Sequence, residues 1–213
     1  AVYSAIIIPD TIILIGPNHT GLGAPVSMVT EGTWITPIGE VPINETLAAA
    51  ILSRSSRIQS DDLAHLREHS LEVQLPFLQI LKKTFSIVPI QMMDARFDTC
   101  EEVGKAVSAS IRELGTPALI VASSDMSHYV SSEVARKKDG IAIDKMLALD
   151  PEGLYYAIRN EAISMCGFGP AVAMLTACNI LGAEKAELIK YADSGAVSGD
   201  HDQVVGYAGI VVY

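Results

Sequence analysis

The chain has 213 residues, 25 acidic against 15 basic side chains, a formal net charge of -10, and 49% apolar residues against 19% charged ones. So apolar a composition excludes a disordered chain, and the length suits one ordinary α/β domain. The acidic balance excludes broad nucleic-acid binding, which needs clustered Lys and Arg; the only basic cluster, Arg136-Lys137-Lys138, reads as a solvated helix face. No stretch reaches the run of apolar residues that a membrane span needs, and Pro9 and Asp10 interrupt the apolar start, which carries no charged leader region. Three widely spaced cysteines argue against a disulfide framework and fit a cytoplasmic location.

The elements follow in chain order. Thr11-Ile-Ile-Leu-Ile-Gly16 is a β-branched apolar run and reads as a buried strand, ended by the Gly16–Gly21 loop. Val26–Val29 and Trp34-Ile35, punctuated by Gly and Pro, suggest short strands or an extended arm. Asn44 is placed to cap a helix from Glu45 to about Arg54. Leu71, Leu75, Leu78 and Leu81 recur at helical spacing, which predicts a helix over His69–Leu81 kinked at Pro76. Ser86–Met92 reads as a second strand, and Asp98 or Thr99 as the cap of a helix reaching Leu114.

Ala118–Ser123 reads as a third strand. Helices are expected over Val134–Leu149, Pro151–Asn160 and from Gly169-Pro170 to about Leu181, with strands over Glu187–Tyr191 and Val204–Val212. Alternating strands and helices predict an α/β fold: a mainly parallel or mixed central sheet covered by helices on both faces. No linker or repeat divides residues 1–213, so one domain is expected.

In such sheets ligands gather beyond the carboxyl ends of the strands. His19 follows the first strand, Asp125 and His128 follow the third, and Cys166 precedes a Gly-rich turn. Imidazole and thiolate suit Fe, Cu and Zn, though none of these residues shows the close-pair spacing of a structural zinc site. Each also has a structural reading: His19 as a capping residue, Asp125 as an N-cap, Cys166 as a small buried apolar group. One helical turn would bring Asp125 and His128 together, and His69 and Glu72 would share a helix face. Cys178 reads as core, Cys100 as inert, and His65 and His201 as surface residues. The chain lacks GxGxxG and the P-loop ending, so no nucleotide cofactor is expected; it also lacks G-x-S-x-G, which weakens a hydrolase built on Ser124.

Gly16-Pro-Asn-His19, Glu68-His-Ser-Leu-Glu-Val-Gln-Leu-Pro76, Ser123-Ser-Asp-Met-Ser-His128, Cys166-Gly167 and Val205-Gly-Tyr-Ala208 together resemble the Memo family, whose archaeal and bacterial members are protein B of the AmmeMemoRadiSam system. The resemblance spans nearly the whole chain. It implies a fold similar to class III extradiol dioxygenases, which use non-haem Fe(II), and a pocket at the strand ends. There it implies His19 and Cys166 as metal ligands, Asp125 and His128 as an acid/base pair, and His69 and Glu72 as residues supporting the pocket. The family's second histidine ligand lies in an upstream Pro-His-Ala-Gly-Tyr motif that this sequence does not contain. Fe(II), Cu or Zn are the ions such a set would take. The implied function is metal-dependent oxidoreductase chemistry of dioxygenase type on an unidentified substrate. The alternative is a non-catalytic adaptor that uses the pocket for a peptide or protein. AMMECR-type and radical-SAM proteins are the implied partners.

Overall fold

A computed structural model describes all residues from Ala1 to Tyr213. Three apolar runs build the centre. Strand β1 (Thr11–Pro17) is buried at every residue, which requires cover on both faces. It lies between β6 (Ser86–Met92) and β7 (Ala118–Ala122), parallel to both. Two short strands, β2 (Val26–Met28) and β5 (Gln59–Ser60), extend the sheet beyond β6 in the order β5-β2-β6-β1-β7. β2 runs antiparallel to β6 and parallel to β5, so the sheet is mixed, with β6, β1 and β7 forming its longer parallel part.

A second, three-stranded antiparallel sheet has the order β8-β10-β9, from β8 (His128–Val130), β9 (Ala186–Asp193) and β10 (Val204–Val212). A separate hairpin pairs β3 (Thr33–Thr36) with β4 (Gly39–Pro42).

The helices are α1 (Glu45–Leu52), α2 (Leu75–Leu81), α3 (Phe97–Leu114), α4 (Ser132–Leu147), α5 (Pro151–Asn160), α6 (Phe168–Leu181) and the single turn α7 (Gly195–Ser198). Asn44 caps α1 as expected, its side chain accepting the Leu47 N–H. Thirty-eight buried residues form one apolar cluster, from Ile12–Ile15 and Ile87–Ile90 to Val103 and Leu175. No helix is long and apolar enough to cross a membrane.

Two elements differ from expectation. α2 begins at Leu75, not His69; Glu72–Gln74 form a separate 3-10 turn, and Pro76 sits in the first turn of α2 instead of kinking a longer helix. Proline lacks only an N–H that this position leaves free. α3 begins at Phe97 with Arg96 at the cap, so Asp98 and Thr99 lie inside its first turn. The Thr99 hydroxyl donates to Asp94 (2.8 Å).

Candidate metal centre at the carboxyl ends of β1 and β7

β1 and β7 are parallel neighbours with Ile15 opposite Ala122. The chain leaves both strands at the same end, carrying His19 from one and Asp125 and His128 from the other. Two groups of donor atoms form there: His19 with Glu68 and His69, and Asp125 with His128 and Cys166, each set lying within 4.8 Å. His19 and Cys166 therefore belong to different groups.

Glu68 organises the first group. Its side chain is fully buried, and its carboxylate accepts from the His19 backbone N–H, from His19 Nδ1 (3.0 Å), and from the backbone N–H of His69 (2.9 Å) and Ser70 (3.0 Å). Burial alone would raise its pKa; the bonds from the His19 ring and backbone and from Ser70 outweigh that and bring it down to about 2. It is thus an anion at neutral pH and can only accept. The proton in the His19 contact therefore sits on Nδ1, and in the neutral ring the lone pair is on Nε2.

The His69 ring stacks on His19 with centroids 5.3 Å apart and planes 15° from parallel. Glu72, expected beside His69, is exposed in the 3-10 turn and belongs to neither group. Two buried serines link the two strand ends. Ser70 Oγ donates to the Pro17 carbonyl (3.0 Å), and Ser123 Oγ donates to the Ser70 carbonyl (2.7 Å). Gly16 makes room for this, since a Cβ there would press on Leu71 Cδ2 and Ser70 Oγ.

In the second group no helix joins Asp125 to His128: the segment between them has no regular secondary structure and His128 opens β8. The two still approach, His128 Nε2 lying 3.7 Å from Asp125 Oδ2. What holds the ring is Ser164: its carbonyl oxygen is 2.7 Å from His128 Nδ1, and its hydroxyl accepts the His128 backbone N–H at 2.8 Å. A carbonyl only accepts, so His128 also carries its proton on Nδ1 and leaves Nε2 free.

Cys166 Sγ accepts the Asp125 backbone N–H at 3.2 Å and lies 3.9 Å from Ser124 Oγ. Burial, aided by the Asp125 charge, raises the thiol's pKa against the opposing Asp125 N–H bond. Gly167 allows this packing, since a Cβ there would collide with the Ser123 carbonyl oxygen and the Ser124 side chain. Its N–H donates to Ser124 Oγ (2.9 Å).

The other singled-out residues stand apart. Cys100 is fully buried, its thiol pushed up to about 12 mainly by burial, and Cys178 to about 11 by the same cause. His201 is exposed. His65, expected at the surface, has both ring nitrogens shut away from solvent beside Trp34, and burial lowers its pKa. Glu68 and Ser164 were not singled out by sequence. Glu68 adjoins a quoted histidine but partners one 49 positions away, and Ser164 acts through backbone as much as side chain.

Fold and site together define an α/β protein with a mixed sheet and two candidate metal-holding groups along one strand-end rim. A sequence model of the Memo-like protein family matches residues 1–211, and the chain belongs to that family. It is 45% identical over 94% of its length to a MEMO1 family protein of Methanothermobacter thermautotrophicus, covering 73% of that protein. It is 47% identical over 99% of its length to one of Methanosarcina acetivorans, covering 78% of that protein. In fold it is similar to an uncharacterized protein of Escherichia coli K12 known from a crystal structure. There the TM-score is 0.60 at 14% identity, covering 95% of this chain and 88% of the other.

Proposed function

We propose that this chain is a metal-binding member of the family, with His19 and Cys166, one from each donor group, as ligands, His128 as a proton carrier beside Cys166, and chemistry of the oxidoreductase, dioxygenase-like kind. One observation carries the reading. Two imidazoles at adjacent strand ends each give their Nδ1 proton to a fixed protein acceptor, Glu68 for His19 and the Ser164 carbonyl for His128. Metal-binding histidines are held in this way, because the outer bond fixes the tautomer and aims the ring.

The donor chemistry fits. Neutral imidazole and a half-buried thiol suit Fe(II), Cu or Zn better than Mg or Ca. Glu68 is not a donor in this reading, since four hydrogen bonds already engage its oxygens. His69 flanks His19, and Glu72 lies further out on the same segment as support. An iron or copper ion, when bound, supplies the redox chemistry for a small organic substrate.

The chain's own residues do the rest. His128 is four-fifths buried, its side chain 21% exposed, and accepts a proton at Nε2 while Ser164 keeps Nδ1 fixed. Asp125 Oδ2 lies 3.7 Å from Nε2.

Calorimetric titration of the metal-free protein with Fe(II), Cu and Zn tests this. His19→Ala and Cys166→Ser should each weaken binding of the preferred ion by at least tenfold. Unchanged affinity in both variants would end the assignment.

A further inference from the structure

His65 is a titratable side chain that the metal reading leaves unused. It ends the 3-10 turn Leu63–His65, and its ring meets Trp34 on β3 edge to face, with centroids 5.8 Å apart. Both ring nitrogens are shut off from solvent, and neither has a hydrogen-bond partner. A neutral imidazole carries one N–H and one lone pair, so this packing leaves a donor and an acceptor unsatisfied. An imidazolium in the same place would bury two free donors and a charge.

The surroundings pull both ways. Burial lowers the pKa of His65 most strongly; the nearby Ser27 carbonyl and the charges of Asp62, Asp61 and Glu68 oppose it, and the net direction is down. Two of these acids are engaged elsewhere. Asp61 accepts from Ser27 Oγ (3.1 Å) and from the Leu63 N–H (2.8 Å), and Glu68 accepts from His19, His69 and Ser70. Asp62 and Arg67 are exposed. β2 and β3 carry no ionisable side chain. Glu40 on β4 pairs with Ile35, so it stands on the face of the hairpin away from Trp34.

The two sides of the contact are held very differently. Asp61 and Glu68 pin the segment that carries His65 at both ends. Trp34 belongs to the β3–β4 hairpin, which joins neither of the two larger sheets. Beyond its root, side-chain bonds tie the hairpin to the rest of the chain at one residue, Gln79 of α2. Its Oε1 accepts from Thr36 Oγ1 (2.7 Å), and its Nε2 donates to the Gly39 carbonyl (3.2 Å). A two-stranded hairpin by itself is marginal in water. When the contact fails, the hairpin is the side that gives.

We propose that His65 and Trp34 form a pH-sensitive latch: protonation of the imidazole breaks its contact with the indole and releases the β3–β4 hairpin from the body of the protein. Closed, the ring is held neutral. Open, it reaches solvent and titrates at the ordinary value of 6.5. The closed form therefore binds fewer protons than the open one, so the latch holds above pH 6.5 and weakens as pH falls below it. One proton taken up on opening raises the open population by up to about tenfold between pH 7.5 and 5.5. Asp61 and Glu68 keep their charge through that window, because both titrate below their ordinary 3.8 and 4.5. The proposal does not depend on the metal reading.

The test uses the 213-residue chain freed of metal by chelation. Amide hydrogen exchange, corrected for its intrinsic pH dependence, is followed from pH 7.5 to 5.5, and the His65 ring is titrated by NMR in the same samples. Protection in Thr33–Pro42 should fall by up to about tenfold, while protection in β1 stays constant. His65→Phe and His65→Leu cannot take up the proton, and either one, folded, should show hairpin protection that is flat across the window. Four results would overturn the proposal: flat hairpin protection in the parent protein; a fall of the same size in a folded variant, which assigns it to other groups; a fall shared equally by β1, which is global unfolding; or a His65 ring that titrates at 6.5 or above. The first, third and fourth are read on the parent protein and need no variant.

Discussion

At the scale of single residues, Glu68 decides how His19 is presented. Removing its charge in Glu68→Gln keeps the shape but turns one of its two acceptor oxygens into an NH2 that must face an N–H donor, which disturbs the hold on the His19 ring. Loss of such an outer partner costs about 10–100-fold in metal affinity. Calorimetry on the variant should show a loss in that range while His19 itself is intact. The same carboxylate links stability to pH. Its folded pKa of about 2 lies below its ordinary value of 4.5, so the native state binds fewer protons than the unfolded one. The stabilisation is complete above that ordinary value and is lost as pH falls toward the folded one. Urea midpoints of the two proteins should therefore differ most near neutral pH, and the gap should close on acidification.

Asp139 makes the matching case for His128. It is fully buried on α4, its Oδ1 accepting the Ser127 N–H (2.9 Å) and its Oδ2 the Tyr191 hydroxyl (2.7 Å). Asp139→Ala leaves both donors without a partner. At about 1–3 kcal/mol for each buried group left unsatisfied, it should lower unfolding free energy by about 2–6 kcal/mol, measured by denaturant titration.

At the scale of elements, the Cys166-Gly167 turn must lie flat on Ser123-Ser124 for the thiol to reach the rim. Gly167→Ala puts a methyl group into the Ser123 carbonyl oxygen. The turn has to lift and carry Cys166 with it. The expected result is loss of metal binding with the bulk of secondary structure kept, read by calorimetry alongside circular dichroism. Retained affinity would show that the loop absorbs the methyl group without moving the sulfur.

What was legible in the sequence follows from how each element is held. β1 and β6 announce themselves because burial on both faces demands largely apolar runs, and β7 carries the same kind of run although its residues stay partly exposed. β5 and β8, with two and three residues, carry no such pattern and exist through their partners. The start of α2 is not legible, because Pro76 suits the first turn of a short helix as well as the bend of a long one. Of the site, the strand-end placing of His19, Asp125 and His128 could be read. The bonds that aim the rings could not: His19 to Glu68 spans 49 positions and His128 to Ser164 spans 36, and no local spacing encodes either.

At the scale of the whole molecule, an ion on this rim would act as a staple. The donors around Cys166 come from distant chain positions, Asp125 and His128 on the segment that leaves β7 and Cys166 on the one that leads into α6. Anything that binds the native state and not the unfolded one adds stability by mass action. At a free ion concentration of 100 times the dissociation constant the gain is about 2.7 kcal/mol. For a chain of this size that corresponds to a rise in Tm of about 5–10 °C. The rise should vanish on chelation and return when the ion is restored. It should be absent in Cys166→Ser at the same ion concentration, and near full size in Cys100→Ser, whose buried sulfur lies in the core and away from both donor groups. Equal shifts in the two serine variants would mean that the ion stabilises the protein from somewhere other than the strand-end rim.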